Sequence, residues 1–343
     1  MRFSIGWNPR HAEGLMDSVL RHREQTAEVY FSPPGMPSGR GVMSPPGPCG
    51  SVEEMEQRLF RDLARLHENG IALHLLINGN CFGKHTLSRS FHQEVGDLTD
   101  RLRSDFGLGA VTTTSPVTAK FLKRNFPELE CRASVNMEIG TPEAMDYLAE
   151  YFDSFYLKRE YNRDLRQIRR MRRWADDHGK KMYALANSGC LNFCSARTFH
   201  DNLVAHEHEV LQEDNAFEFH GICKLWLEHP ENRESFLQVT NFIRPEDTGL
   251  YEEFFDGMKL ATRVHHNPAA VAEAYFAGQW RGNLLDLLEP DHAESFYPVI
   301  LDNRLMPEDF GHRVLNCPHD CENCSYCRET LHRAAANVGN WSL

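Results

Sequence analysis

The sequence predicts an α/β protein: a TIM-like (β/α)8 barrel with a cysteine-rich insertion and a small C-terminal cysteine-rich appendage. Three observations predict it. Short apolar runs alternate with amphipathic helical stretches up to residue 186, which is the pattern of a parallel sheet. The repetition is regular enough for a closed barrel, and no G-x-G-x-x-G fingerprint follows the first strand, which argues against an open dinucleotide-binding sheet. The length of 343 residues suffices for one large barrel and a small addition.

The elements follow in order. Ile5 to Trp7 ends the first strand, and His11 to His22 reads as a helix. Glu28 to Phe31 is the second strand. Residues 32–50 form a Pro- and Gly-rich loop, long enough to suggest function. Val52 to Glu68 places Leu59, Phe60, Leu63 and Leu66 on one helical face and stops at Gly70. Ile71 to Ile77 is the third strand. Helices are expected over 91–106, 118–125, 142–151 and 165–178, and strands over 110–113, 132–136, 154–157 and 181–186. The pattern breaks over 187–235, resumes at 239–243, and closes with a strand over 257–264 and a helix over 268–277. The barrel with its insertion therefore spans 1–282, and the appendage 283–343.

Composition narrows the function. The net charge is −12, from 49 acidic and 37 basic residues, which disfavours coating nucleic acid by charge alone. The basic run Lys158, Arg159, Arg163, Arg166, Arg169, Arg170, Arg172 and Arg173 reads as a solvated helix face, with an RNA-facing patch as the alternative. No apolar run is long enough to cross a bilayer, so no membrane association is expected. Met1 to Gly6 leads straight into a strand without an apolar leader, so a cytoplasmic location is expected.

Ten cysteines in such a chain point to metal or redox chemistry rather than a disulfide framework. In a parallel barrel, reactive groups gather where strands end, on the C-terminal face. Asn8, Asn78, Asn80, Cys81, Ser115, Asn136, Glu138, Lys158, Arg159, Glu160, Asn187 and Ser188 fall there. Cys190 and Cys194 form a C-x3-C pair, with Gly189 letting the backbone bend and turn amides toward an anionic centre. Cys223 supplies a third thiolate. A tetrahedral site or a cubane needs a fourth ligand. Cys81 is the first choice and Cys49, in the long loop, the second. Cys131 opens a strand on the opposite face and reads as a buried apolar residue. The alternative is that all these are separate core thiols.

Cys317, Cys321, Cys324 and Cys327 form a C-x3-C-x2-C-x2-C run among polar residues, which points to a second metal site, iron–sulfur or zinc. His319 lies within it. His200, His206 and His208 sit on one expected helix, but no H-E-x-x-H or G-x-S-x-G motif is present, so neither a zinc peptidase nor a serine hydrolase is indicated.

Four features together resemble the collagenase-like peptidase family (peptidase family U-32): the segment Leu185 to Cys194 followed by His200 and Asn202; the turn Phe242-Ile243-Arg244-Pro245-Glu246-Asp247 with the strand Met258-Lys259-Leu260-Ala261-Thr262-Arg263; the early strand–helix pattern; and Asn80-Cys81-Phe82-Gly83. The resemblance covers roughly residues 1–280. It implies a TIM-like barrel, a [4Fe-4S] cluster on four cysteines, and oxygen-independent hydroxylation of aromatic rings or RNA bases. By this resemblance Cys190, Cys194 and Cys223 look like cluster ligands, completed by Cys81. The cysteine spacing and the run at 317–327 depart from the family pattern. The family name keeps a peptidase open as the alternative, as does a non-catalytic cluster-bearing subunit with a homologous barrel chain as partner. Lys259 and Arg263 are catalytic candidates that could bind an anionic substrate or oxygen donor. The alternative is a salt bridge inside the barrel with Glu138 or Glu160, themselves candidates.

Overall fold

Eight parallel strands close on themselves: β1 (Phe3–Gly6), β2 (Thr26–Phe31), β3 (Leu73–Ile77), β4 (Leu108–Thr113), β5 (Glu130–Ala133), β6 (Ser154–Tyr156), β7 (Lys181–Leu185) and β8 (Gly257–Leu260). Closure runs through Phe3, Ser4 and Ile5 opposite Met258, Lys259 and Leu260. The structure is a computed structural model describing residues 1–12, 14–40 and 51–337. Strand β3 is buried at every position, His74 included, because both faces are covered, one by helices and one by the barrel interior.

Local signals set the helices of the outer ring. These are α1 (Leu15–Arg21), α2 (Val52–Glu68), α3 (Arg89–Phe106), α4 (Pro116–Asn125), α5 (Pro142–Asp146) and α6 (Leu165–Asp177). Ser51 and Glu54 form a reciprocal capping box at the start of α2, which buries Met55, Leu59, Leu63 and Leu66. Ser88, Ser115 and Asp164 cap α3, α4 and α6. Gly107 ends α3 at φ 65°, a left-handed conformation that suits glycine.

The insertion after β7 carries α7 (Arg197–Ala205), α8 (Glu207–Val210), α9 (Ile222–Leu227), α10 (Pro230–Arg233) and α11 (Phe236–Val239). The segment 239–243, where the regular pattern is expected to resume, forms no strand. Thr240 makes a single bridge to Leu191 instead. β5 stops at Ala133 because Ser134 caps a tight turn over 135–137. β8 ends at Leu260, and the Thr262 hydroxyl takes the next position by bonding both the N–H and the C=O of Gly6. The histidine-bearing helix is also two helices, α7 and α8, with His206 at the junction.

Beyond β8 lie α12 (Pro268–Ala277), α13 (Ala293–Phe296), β9 (Val299–Leu301), α14 (Phe310–Leu315), α15 (Tyr326–Ala334) and β10 (Ala335–Asn337), with β10 antiparallel to β9. Leu301, Phe310, Leu315 and Leu331 are buried in the same apolar core as the barrel strands. The turn read from Arg244-Pro245-Glu246-Asp247 has a structural task. Arg244 grips Asp247 at 2.7 and 3.0 Å, and both are buried. No helix among the described residues is long and apolar enough to cross a membrane.

Candidate functional site

The β7 strand delivers the chain to the C-terminal mouth of the barrel, where the loop from Asn187 to Cys194 is fixed from both sides. The Asn187 side chain donates to Leu287 O at 2.8 Å and accepts from Ala261 N at 2.6 Å. Gly189 N–H donates to Glu289 O at 3.0 Å. The Gly189 amide is therefore spent on backbone and is not turned toward an anionic centre, as the sequence suggested. Glycine is needed there for another reason: a Cβ would lie 2.0 Å from Pro290 O.

Cys190, Cys194 and Cys223 line one cavity of about 370 Å³, together with Arg40, Arg159 and Arg197. The fold thus brings Cys223 to the same cavity as the Cys190–Cys194 pair. Among the described residues, however, no three His, Cys, Asp or Glu side chains stand close enough to grip one ion. The electrostatics favour thiolate at Cys190. Arg159 donates to its Sγ at 3.4 Å and Arg40 at 3.8 Å. Burial opposes ionisation, but Arg159, Arg40 and Arg197 outweigh it and hold this thiol below the usual range. Cys223 goes the other way. Burial, then the neighbouring Cys190 and Cys194, push it up to about 11. His200 lines the same cavity, and burial holds it below the usual imidazole range.

Cys81 is placed elsewhere on this face. Its thiol lies against the His206 imidazole and accepts from Gly83 N at 3.4 Å, and these contacts lower its pKa. The Nδ1 atom of His206 pairs with Glu209. Cys49 falls outside the described residues. Cys131 is 1 % exposed, and burial raises its thiol to about 12, in keeping with an apolar role.

Glu138 and Glu160 do not pair with Lys259 or Arg263. Arg197 takes both, at 2.8 and 2.9 Å, and Lys158 reaches Glu138 at 3.3 Å. The salt bridge weighed as the alternative for Lys259 and Arg263 is thus not the one that forms. Those two cations line a smaller pocket in the barrel mouth, which adjoins the cysteine cavity through Arg40, Val264 and Glu289. Several other strand-end polar groups are caps: Asn8 and Ser115 each accept from a backbone N–H of the following turn.

The basic run divides. Arg159 and Arg163 are buried, and Arg163 donates to the carbonyls of Leu237, Thr240 and Phe242. Arg166, Arg169, Arg170 and Arg173 are exposed on α6. In the C-terminal run, Cys321 and Cys324 are exposed while Cys317 and Cys327 are half-buried. Burial raises the Cys327 thiol to about 11 against the lowering charge of Arg163, and Cys317, Cys321 and Cys324 add to it; among the described residues no three of these side chains stand close enough to hold one ion. His319 sits at φ 59° within the run.

Arg40 and Glu289 escaped the reading of the sequence. They form an ion pair of 2.7 Å against the cysteine cavity. Arg40 lies in a loop with no periodicity, and Glu289 lies in the C-terminal segment, so neither carries a local signal.

No family model matches the chain, and no curated protein matches it. Solved structures do. The U32 peptidase Mk0906 aligns with 76% of this chain and 91% of its own at 16% identity, with a TM-score of 0.52. A psychrophilic family 10 endo-β-1,4-xylanase aligns with 76% of this chain and 85% of its own at 8% identity and a TM-score of 0.41. A phosphoribosylanthranilate isomerase from Thermotoga maritima aligns with 81% and 97% at 12% identity and a TM-score of 0.37. At 16% identity the likeness to the U32 peptidase speaks for the (β/α)8 fold alone.

Proposed function

We propose that the chain is an iron–sulfur-binding barrel enzyme of the U32 peptidase type, with a [4Fe-4S] cluster on Cys190, Cys194 and Cys223. The observation that carries this reading is the shared cavity at the barrel mouth. The donor set fits. Three soft sulfur ligands suit a cluster, Cys190 already sits among guanidinium groups, and Cys223 is raised by burial first and then by the neighbouring Cys190 and Cys194, a like-charge part that a bound cation would relieve. Cys81 lies beside His206, so the reading rests on three thiols. Cys49 remains the sequence's other thiol for the fourth position, and His200 is a nitrogen donor in the cavity.

Such a cluster supplies one-electron transfer or Lewis acidity at an open iron. The residues of this chain would orient the substrate beside it. Arg40 and Arg159 stabilise thiolate charge, and Arg197 holds Glu138 and Glu160 in place. Oxygen-independent hydroxylation of a small aromatic or RNA substrate is the reaction class the family resemblance favours. The C-terminal cysteines would hold a second metal, iron–sulfur or zinc.

Anaerobic purification with iron, sulfide and zinc analysis and a visible spectrum tests both sites. Cys190→Ser, Cys194→Ser and Cys223→Ser should each lose the visible absorption, and Cys324→Ser should lose only the second metal. A colourless, iron-free wild-type protein ends the cluster reading.

One observation favours the alternative, a peptidase. Cys81, His206 and Glu209 form a chain of thiol, imidazole and carboxylate, the order used by cysteine nucleophiles. Peptide hydrolysis by metal-free protein, lost in Cys81→Ser, would support it.

A further inference from the structure

Among the described residues, two cations in the barrel mouth have no carboxylate in contact. Lys259 projects from β8 and is 7% exposed; Arg263, just beyond the strand, is 4% exposed. Among the described residues no carboxylate oxygen lies within 4.0 Å of either. Each neighbouring acid is already taken. Glu28 is held by Arg132 and His74, Glu289 by Arg40, and Glu138 and Glu160 by Arg197. Outside the described residues, 41–50 and 338–343 contain no acidic side chain, and residue 13 is a glutamate. The Lys259 ammonium sits 3.9 Å from the centre of the Tyr30 ring and 5.5 Å from that of Tyr156. Arg263 donates to the Ser32 hydroxyl, which leaves most of its five N–H donors open.

Burying an unpaired cation is costly, and a protein relieves it by neutralisation or by a bound anion. Lys259 and Arg263 border the same pocket, beside the side chains of Tyr30, Asn78 and Asn136. The pocket holds about 40 Å³ of open space, enough for a small head group and too little for a ring system. It opens toward the cysteine cavity through Arg40 and Glu289.

We propose that Lys259 and Arg263 bind the head group of a small oxyanion, a carboxylate or a phosphate, in the mouth of the barrel. Arg263 offers a planar fork that matches two oxygens, and Lys259 a point charge beside it. Asn78 and Asn136 add neutral amides at the rim. Burial, followed by the charge of Arg263, pushes the Lys259 ammonium well below its usual range, and burial lowers Arg263 to about 10. Burial leads both shifts, and the more distant Glu28 and Glu289 charges, which act the other way on Lys259 and Arg263 respectively, do not offset it. The inference stands on this pair alone and does not need the cluster.

Calorimetric titration of the purified full-length protein with acetate, and separately with phosphate, at fixed ionic strength in a chloride buffer, tests it directly. Binding of at least one is expected, and which one binds identifies the head group. Arg263→Met and Lys259→Met should each weaken binding roughly tenfold or more. Thermal unfolding adds a second reading. In chloride, Lys259→Met should be at least as stable as wild type, because it removes an unpaired buried cation, and it should lose the oxyanion-dependent rise in Tm. Cys190→Ser should keep that rise, which separates this site from the cluster. Wild type that binds neither anion overturns the proposal, whatever the variants do. So does a Tm rise of the same size in wild type and Lys259→Met, since phosphate also stabilises proteins non-specifically.

Discussion

Arg132 grips Glu28 through two hydrogen bonds, of 2.7 and 2.8 Å, that cross the barrel interior from β5 to β2. The same carboxylate accepts from Ser4 at 2.8 Å and pairs with His74 Nδ1 at 2.8 Å, while His74 Nε2 bonds Thr112 at 2.7 Å. Four strands are thus joined through one buried anion. Arg132→Met should leave that anion inadequately paired and cost about 3–5 kcal/mol. A urea midpoint within error of wild type would show that Arg132 is not holding the barrel.

The same network sets how the fold responds to acid. Burial works against the Glu28 charge, but His74 and Arg132 outweigh it and hold the carboxyl well below its usual 4.5. Its contribution is present above pH 4.5 and is lost as pH falls toward the folded value. Burial also holds His74 below its usual 6.5. The unfolded chain therefore takes up a proton there first, and stability begins to fall as pH drops below 6.5. Unfolding midpoints at pH 7.5, 5.5 and 4 should decline in that order and most steeply at the end. In Arg132→Met the steep part should flatten. A midpoint that rises on acidification contradicts the assignment.

Gly189→Ala places a methyl group against a backbone carbonyl, 2.0 Å from Pro290 O, where no flexible side chain can yield. The loop bearing Cys190 and the segment bearing Glu289 must separate. The expected cost is about 1–3 kcal/mol, with lower iron content in whatever protein folds. The comparison is with Gly179→Ala. Nothing lies within 4 Å of a Cβ there, although its φ of 61° still imposes some backbone strain. Equal iron content in the two variants would mean that the close approach at Gly189 does not organise the site.

The barrel was legible because each strand and helix announces itself locally. The α2 helix runs from Val52 to Glu68, as its apolar face and Gly70 predict. The face on which the site lies was equally legible, since strand ends define it. The position around the rim was not. Cys81 and Cys190 both follow strands on the C-terminal face, but a linear pattern carries no angle between β3 and β7, and the insertion sets Cys81 against His206 instead. His206 was read within one helix because the break between α7 and α8 has no Gly or Pro to mark it. The fate of Glu138 and Glu160 depended on Arg197, which nothing in the sequence distinguishes from Arg233, the other arginine of the insertion.

The Cys81 thiol should behave as a poised nucleophile whichever reaction the enzyme performs. His206 holds its pKa down, with help from Gly83 N–H, and Glu209 keeps the imidazole oriented and favours its charged form. The thiolate is the reactive species, so alkylation of Cys81 by iodoacetamide should reach its plateau at a lower pH than alkylation of an ordinary exposed thiol. His206→Ala should move that profile upward and slow labelling at pH 7 by up to roughly tenfold, the factor that about one unit of pKa confers. Glu209→Gln loosens the imidazole but also removes a charge that raises the thiol directly, so its net shift should be smaller. The site is read by mass spectrometry of the labelled peptide. If Cys81 labels with one pH profile in wild type and His206→Ala, the imidazole does not govern the thiol, and the peptidase alternative loses the observation that favours it.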